Sequence, residues 1–262
     1  MAKKLKGFVS LQQGEARETF FTKRSIERLS EYVDLTFTDS TVPLKTEQLC
    51  EELKVKGYEV ILNGWGTAPI DANVLEAAPE LKLVAYTAGS CAAFVTDEMF
   101  DRGVTLIGGN KVFAMSVAEA AIGYMMFSLR NIEYYLNSVR TGAWRSDDRA
   151  NGGLFHKRIG IVGYGTIGKY VAQYLQPFTP ELYIYDKFVP RETIEKMGKY
   201  STLEEIFEEC DIITLHLAKN PGTFGMISRE LLEKLRPNRC FVDDRASCCV
   251  DKQEARSSTK QR

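Results

Sequence analysis

The stretch that decides the fold is Arg158–Gly168, RIGIVGYGTIG, in which an apolar run leads into three glycines spaced Gly163-x-Gly165-x-x-Gly168. In a dinucleotide-binding turn, the first glycine permits a tight strand-to-helix turn and the second lets a pyrophosphate approach the backbone. The third allows the helix to pack closely on the strand. Free amides at the start of such a helix bind a diphosphate. The predicted contacts are Gly163, Tyr164, Gly165, Thr166, Ile167 and Gly168.

A carboxylate follows the next predicted strand. Twenty-three residues after Gly163, the apolar run Leu182–Tyr185 ends in Asp186. A carboxylate there accepts hydrogen bonds from the adenosine ribose and repels a 2′-phosphate, so it favours NAD over NADP. Lys187 weakens that exclusion. Two alternatives stay open from these residues: a structural turn beside a surface acid, and a methyltransferase, which also combines a glycine-rich turn with an acid.

Apolar runs alternate with helical patterns throughout the second half. Parallel strands need crossover connections, so this alternation predicts a doubly wound parallel sheet, a Rossmann domain over residues 110–250. A long helix, Ala114–Arg140, opens it. The predicted strands are Arg158–Val162, Leu182–Asp186, Ile212–Leu217 and Cys240–Asp243, and the predicted helices are Thr166–Leu175, Leu203–Glu209 and Ser228–Leu235.

The first half has the same alternation and predicts a smaller flavodoxin-like domain over residues 1–109. The fold class is therefore α/β, with two doubly wound parallel-sheet domains. The last twelve residues, DKQEARSSTKQR, contain Ala255 as their one apolar residue and are expected to stay disordered. The predicted strands of the first half are Gly7–Leu11, Asp34–Thr38, Tyr58–Asn63, Lys82–Thr87 and Val104–Ile107.

Composition narrows the classes of function. Lys and Arg total 34 against 35 Asp and Glu, a balance that argues against a nucleic-acid partner. The best candidate for a membrane span, Val117–Leu129, is too short and carries Glu119, and no secretory signal is recognisable. The six cysteines form no CxxC pair and the two histidines lie far apart, so no metal site is predicted. Scattered cysteines are typical of reduced thiols in the cytoplasm.

The long helix carries an apolar stretch that includes Tyr124, Met125, Met126 and Phe127. One interpretation is that these residues pair two subunits in a homodimer. The other is that they pack on the sheet of their own domain, as apolar helix stripes commonly do.

Several motifs, taken in order, resemble those of the D-isomer-specific 2-hydroxyacid dehydrogenases over about residues 5–251. The resemblance covers most of the chain, and it displaces the methyltransferase interpretation. The matching stretches are AYTAGS at 85–90, VTDEMFDRGVTLIGGN at 95–110, SVAE at 116–119, GAW at 142–144, the glycine turn with Asp186, and HLAKNPGT at 216–223.

The resemblance implies NAD(H) bound between two domains and hydride transfer between nicotinamide C4 and C2 of a small 2-hydroxy or 2-keto acid. An arginine orients the substrate, a histidine exchanges the proton and a glutamate or aspartate partners that histidine. The backbone of Ala88, Gly89 and Ser90 is expected to hold the substrate carboxylate. Beside the nicotinamide ribose the resemblance places His216, Leu217, Ala218 and Thr223.

The family's catalytic arginine lies in a conserved motif, and the arginine of the corresponding stretch in this sequence is shifted by one position. Aligned through Val250–Asp251, the arginine position of DDRASCCVD holds Ala246, and Arg245 stands one residue earlier. One step along an extended chain turns a side chain to the other face. Arg245 is the candidate catalytic arginine if the local backbone shifts, and a solvated surface cation otherwise.

Neither histidine matches the family's proton donor: His156 precedes the nucleotide domain, and His216 is expected to shape the cofactor pocket. In the family, several dozen further residues carry the glutamate and the histidine, whereas this sequence stops at Arg262. We therefore expect a C-terminally truncated member, from a frameshifted or prematurely ended gene, with weak or no activity. The alternatives are a non-catalytic NAD(H)-sensing interaction module and a non-functional gene product.

Overall fold

The computed structural model describes residues 3–143, 151–218, 220–235, 239–243 and 249. The chain divides into two compact units, Met1–Phe113 and Ala114–Arg262. The division falls within a helix, slightly beyond residue 109, where the sequence pattern placed the domain boundary. Each unit is built on its own five-stranded parallel sheet.

The first unit alternates strands and helices, and its sheet has the order β2-β1-β3-β4-β5, which is the flavodoxin-like order. The strands are β1 (Leu5–Val9), β2 (Val33–Phe37), β3 (Val60–Asn63), β4 (Leu83–Tyr86) and β5 (Thr105–Gly108). The helices are α1 (Glu15–Phe20), α2 (Lys23–Leu29), α3 (Thr46–Lys54), α4 (Ala72–Ala77) and α5 (Asp97–Asp101). The predicted doubly wound α/β class is confirmed.

Both faces of this first sheet are covered, as parallel sheets require. Successive strand residues point to opposite faces, so Phe8 and Ile61 pack in a core with helices α3, α4 and α5. Val9 and Leu62 pack on the other face with residues of α1 and α2. Polar residues start several of the helices: the Asp71 carboxylate, for example, accepts the amide of Val74 at the first turn of α4.

A buried carboxylate joins three strands at the amino edge of this sheet. The Nζ atom of Lys82 lies 2.7 Å from Oε1 of Glu59, and the amide of Lys6 donates to Oε2 at 3.3 Å. The hydrogen bond from Lys82 is the main cause that lowers the pKa of Glu59, and the same bond raises the pKa of Lys82. The charge of Glu59 is therefore stabilised in the folded chain.

The second unit has the sheet order β10-β9-β6-β7-β8. If β6 is counted as strand 1 and the sheet is read from β8, this is the Rossmann order 3-2-1-4-5. The strands are β6 (Arg158–Val162), β7 (Glu181–Tyr185), β8 (Lys199–Tyr200), β9 (Ile212–Leu215) and β10 (Cys240–Asp243). The helices are α6 (Asn110–Leu129), α7 (Ile132–Arg140), α8 (Thr166–Leu175), α9 (Arg191–Ile194), α10 (Leu203–Glu209) and α11 (Arg229–Glu233). The sequence pattern did not reveal β8 and α9.

The prediction of one continuous helix over Ala114–Arg140 is wrong. Helix α6 ends at Leu129, and α7 begins at Ile132 after Asn131 adopts a left-handed conformation with φ 49°. Asparagine tolerates that conformation better than most residues. Because the apolar pattern continues through the break, no change of period in the sequence marks it.

Helix α6 carries an apolar surface that is only partly covered. Met125 is fully buried in the core of the second unit, whereas Tyr124, Met126 and Phe127 are 57%, 37% and 44% exposed. Among the helices of the described ranges, α6 alone is long and apolar enough to cross a membrane, with a mean hydropathy of 1.6 over its best window. Core helices of soluble proteins meet the same criterion.

We predict that Glu59→Gln lowers the free energy of unfolding at neutral pH, because it removes an ionised partner of Lys82. A carboxylate whose folded pKa is lowered stabilises the fold above its unfolded pKa, about 4.3, and loses that contribution as the pH falls through its folded pKa. The difference between wild type and variant should therefore shrink as the pH falls below about 4.3 in denaturant titrations.

Glu76→Gln, on the exposed face of α4, is the control and should show little effect at neutral pH. A wild-type advantage over Glu59→Gln that persists unchanged into acid would contradict this account of the ion pair.

Candidate dinucleotide-binding site

The glycine turn lies between β6 and α8, and its three glycines have different surroundings. Gly163 has φ 97°, and a Cβ there would meet the backbone carbonyl of His216 at 2.8 Å. A Cβ on Gly168 would overlap the carbonyl oxygen of Gly163, whereas a Cβ on Gly165 would meet no atom within 4 Å. The outer glycines are thus required by packing, and the middle one leaves an open backbone surface.

Two of the side chains within the turn are buried. Tyr164 is 4% and Ile167 5% exposed, and both pack in the core of the second unit. Gly165 is the residue before the first turn of α8, which begins at Thr166. The first amides of an α-helix have no carbonyl partner within the helix, and the helix dipole adds positive potential there. The turn therefore offers backbone donors to an anion.

Asp186 follows β7 directly and joins the turn to the next loop. Its Oδ2 accepts the amide of Tyr164 at 2.7 Å. Its Oδ1 accepts the amides of Phe188 at 2.8 Å and Val189 at 3.0 Å. An ionised carboxylate has about four acceptor positions, so the half-buried Asp186 keeps acceptor capacity for a hydroxyl group. An open glycine surface beside such a carboxylate fits the diphosphate and ribose of a dinucleotide.

The segment after β9 lies against the same turn. His216 is 6% exposed, its Nε2 lies 2.9 Å from Oγ1 of Thr214, and its carbonyl packs on Gly163. Leu217 is also buried, whereas Ala218 is exposed. His216 is thus held inside the second unit, consistent with a role in shaping the pocket.

Thr223 closes the loop that follows. Its hydroxyl donates to the carbonyl of Ala218 at 2.6 Å and accepts the amide of Asn220 at 3.2 Å. The amide of Gly222 donates to Oδ1 of Asn220 at 2.9 Å. These bonds fix the backbone beside Ala218, so Thr223 acts on the site through loop shape in this structure. Its predicted contact with the cofactor stays a prediction.

The candidate substrate loop belongs to the first unit and follows β4. Ala88 is buried, Gly89 half-buried and Ser90 exposed. The loop is anchored at Thr87, whose amide and hydroxyl both donate to the carbonyl of Asn63 at 3.0 Å. Ligands of doubly wound sheets bind outside the carboxyl ends of the strands, so the position of this loop suits the predicted role. Arg245 lies outside the described residues.

Sequence reasoning missed two buried polar residues of the first unit, Ser10 and Asn63, which follow the apolar runs of β1 and β3. Ser10 is 8% exposed and Asn63 is fully buried. A usable signal exists, because each is a polar residue at the carboxyl end of a buried strand. Periodicity alone did not show that the two strands are neighbours.

We predict that Gly165→Ala and Gly168→Ala separate binding from folding. The methyl group of Gly165→Ala enters open space, so this variant should lose less than about 1 kcal/mol of stability. It should bind NADH at least about tenfold more weakly, because the methyl group occupies the surface where the diphosphate approaches. Gly168→Ala should cost about 3 kcal/mol or more through backbone overlap. Thermal unfolding and NADH titration measure both, and full NADH affinity in Gly165→Ala would contradict the site.

Comparison with known proteins agrees with this geometry. The family model of the D-isomer specific 2-hydroxyacid dehydrogenase NAD binding domain matches residues 122–252. D-3-phosphoglycerate dehydrogenase of Mycobacterium bovis is 31% identical over 183 residues, 70% of this chain and 35% of the relative. Glyoxylate reductase of Korarchaeum cryptofilum is 28% identical over 245 residues, 91% of this chain and 73% of the relative.

The solved structures show the same fold. D-lactate dehydrogenase from Aquifex aeolicus, complexed with NAD and lactic acid, has a TM-score of 0.73 at 21% identity and covers 98% of this chain and 73% of that one. The chain spans about a third of the length of the D-3-phosphoglycerate dehydrogenases that it matches. The family model covers half of the chain and confirms the resemblance and NAD as the cofactor. The chain therefore belongs to the D-isomer-specific 2-hydroxyacid dehydrogenases, and its second unit carries the NAD-binding domain of that family.

Proposed function

We propose that this chain binds NAD(H) and a small 2-hydroxy or 2-keto acid for hydride transfer between nicotinamide C4 and C2 of the acid. The observation that carries the proposal is the open backbone surface at Gly165 beside the carboxylate of Asp186. The names of relatives support the substrate class, since one is a glyoxylate reductase and another was solved with lactic acid.

Each element of the site has a distinct part in this proposal. The amides at the start of α8 hold the diphosphate, and Asp186 accepts hydrogen bonds from the adenosine ribose and disfavours a 2′-phosphate. His216, Leu217, Ala218 and Thr223 shape the pocket for the nicotinamide ribose. The backbone of Ala88, Gly89 and Ser90 orients the acid through its carboxylate. When bound, the nicotinamide supplies or accepts the hydride.

The reaction also needs a proton donor, and neither of the two histidines in these 262 residues is suitable for that role. Hydride delivery to a carbonyl leaves an alkoxide, which an acid tuned near the working pH must protonate. His156 is exposed before β6, with Nδ1 3.1 Å from Oγ1 of Thr179. His216 is buried against Thr214. We therefore propose that this chain binds its cofactor and reduces 2-keto acids slowly, with Arg245 as its candidate substrate-orienting arginine.

The test combines binding with turnover. Saturation with NADH at about 100 times the dissociation constant should raise Tm by about 5–10 °C. Oxidation of NADH with glyoxylate, pyruvate or hydroxypyruvate should be at least about a hundredfold slower than for the Korarchaeum glyoxylate reductase measured alongside. Turnover equal to that relative would contradict the missing proton donor. An unchanged Tm would contradict the cofactor site.

We also propose that the chain forms a homodimer through α6, on which Tyr124 and Phe127, three residues apart, form an exposed apolar face. Burial of such a face against a second copy removes apolar surface from water. No nucleic-acid or membrane partner is proposed, and the free thiols of Cys50, Cys91, Cys210 and Cys240 suit the cytoplasm.

The dimer proposal predicts that Phe127→Asp shifts the chain from dimer to monomer in light scattering coupled to size-exclusion chromatography. The charge would have to be buried unpaired in the interface. Tyr32→Asp, at a position 69% exposed in the first unit, is the control and should stay dimeric. A wild-type chain that is monomeric at micromolar concentration would contradict the proposal.

A further inference from the structure

A row of polar residues crosses the first sheet at the carboxyl ends of its strands. Asn63 pairs with Tyr86 in the register of β3 and β4, and Ser10 follows Val9, which pairs with Leu62. The amide of Thr38 donates to the carbonyl of Val9 at 3.1 Å, which extends the row to β2. All four row members, Thr38, Ser10, Asn63 and Tyr86, are 8% exposed or less.

Two members of the row have buried side chains without hydrogen bonds. In the described part of the chain, the hydroxyl of Ser10 and both amide atoms of Asn63 have no hydrogen-bond partner. Thr38 differs, because its Oγ1 accepts the amide of Ser40 at 3.2 Å. Buried polar atoms without partners are costly and rare in folded proteins. The pair is therefore a candidate for binding a small polar group.

The pair lies at the point where a doubly wound sheet binds ligands. In the order β2-β1-β3-β4-β5, the chain changes direction across the sheet between β1 and β3, which is the topological switch point. Asn63 also accepts both hydrogen bonds that anchor Thr87, the residue before the candidate carboxylate loop. The pair is thus beside the place where the proposed substrate binds.

A pocket opens over Ser10, between the loops that follow β1 and β3. It encloses about 10 Å³, close to the space that one water-sized group needs. Within the described ranges, its lining residues are all uncharged, and the polar ones among them are Ser10, Gln12 and Thr67. A hydroxyl group fits this pocket, whereas a phosphate or carboxylate would meet no cation there.

The spacing of neighbouring strands suits a single small group. Ser10 follows β1 and Asn63 ends β3, and these two strands are hydrogen-bonded neighbours about 4.8 Å apart. One hydroxyl group can therefore lie within hydrogen-bond distance of both side chains.

We propose that Ser10 and Asn63 form a subsite for the 3-hydroxyl group of the substrate, so that the chain selects 3-hydroxy-2-keto acids. The inference rests on the proposed function and adds the substituent that the substrate carries. The amide of Asn63 supplies a donor and an acceptor, and a hydroxyl group is the small neutral group that uses both.

The experiment compares 3-hydroxypyruvate with 2-oxobutanoate, in which a methyl group replaces the hydroxyl. Both are titrated by calorimetry into the chain saturated with NAD⁺, so that no reduction occurs. Wild type should bind 3-hydroxypyruvate at least about tenfold more tightly, because a site built to hydrogen-bond a hydroxyl rejects the analogue that lacks it. 3-Phosphohydroxypyruvate should bind more weakly than either acid.

Asn63→Leu should abolish this preference by weakening the binding of 3-hydroxypyruvate, and its Tm should equal or exceed that of wild type, since the unpaired amide is gone. Ser10→Ala should reduce the preference and gives a second test if Asn63→Leu does not fold. Thr38→Val is the matched control, and it should keep the preference because its hydroxyl is already bonded within the chain.

Equal binding of the two acids by wild type, or a preference that persists in both Asn63→Leu and Ser10→Ala, would overturn the subsite alone. A marked loss of Tm in Ser10→Ala without loss of preference would assign the pair to internal structure and overturn it also. Failure of both acids to bind would overturn the proposed function together with the subsite.

Discussion

The second unit depends on the close approach of two backbone segments at the glycine turn. Gly168 packs against the carbonyl of Gly163, and Gly163 packs against the backbone of His216, with no room for a Cβ in either place. These contacts hold α8 against β6 and β9 at the carboxyl end of the sheet. The amides at the start of α8 are thereby presented at a fixed position, which is what anion binding at a helix start requires.

Asp186 extends this constraint to the neighbouring strand. Three backbone amides, from Tyr164, Phe188 and Val189, donate to its carboxylate. Hydrogen bonds to an ionised group are stronger than those between neutral groups, so one side chain orders both the turn and the loop after β7. The residue predicted to bind the ribose therefore also positions the backbone that is predicted to bind the diphosphate.

The sequence predicted the elements whose signals are local. The apolar runs of Arg158–Val162 and Cys240–Asp243 correspond to strands with the same bounds, and Thr166–Leu175 to a helix. The two-residue strand β8 was not predicted because it contains no apolar run. The break at Asn131 was not predicted because the apolar pattern continues across it. The buried pair Ser10 and Asn63 was not predicted because the two residues become neighbours only through the pairing of β1 with β3, which is a tertiary property.

The first unit contains a buried polar pair, Ser10 and Asn63, that the family resemblance did not indicate. The carboxylate loop at Ala88–Ser90 and the polar pair lie at the ends of strands in one sheet, so sheet geometry sets the distance between them. In the proposed function, backbone amides at a helix start bind the cofactor in the second unit, and strand-end residues bind the substrate in the first.

The most direct measurement is a titration of the ¹⁵N-labelled chain with NAD⁺, followed by the backbone amide resonances. We expect the largest shifts at Gly165 and Thr166, with further shifts at Asp186 and the residues after it. Saturating NAD⁺ that leaves the resonances of Gly165 and Thr166 unchanged would show that this turn does not bind the dinucleotide.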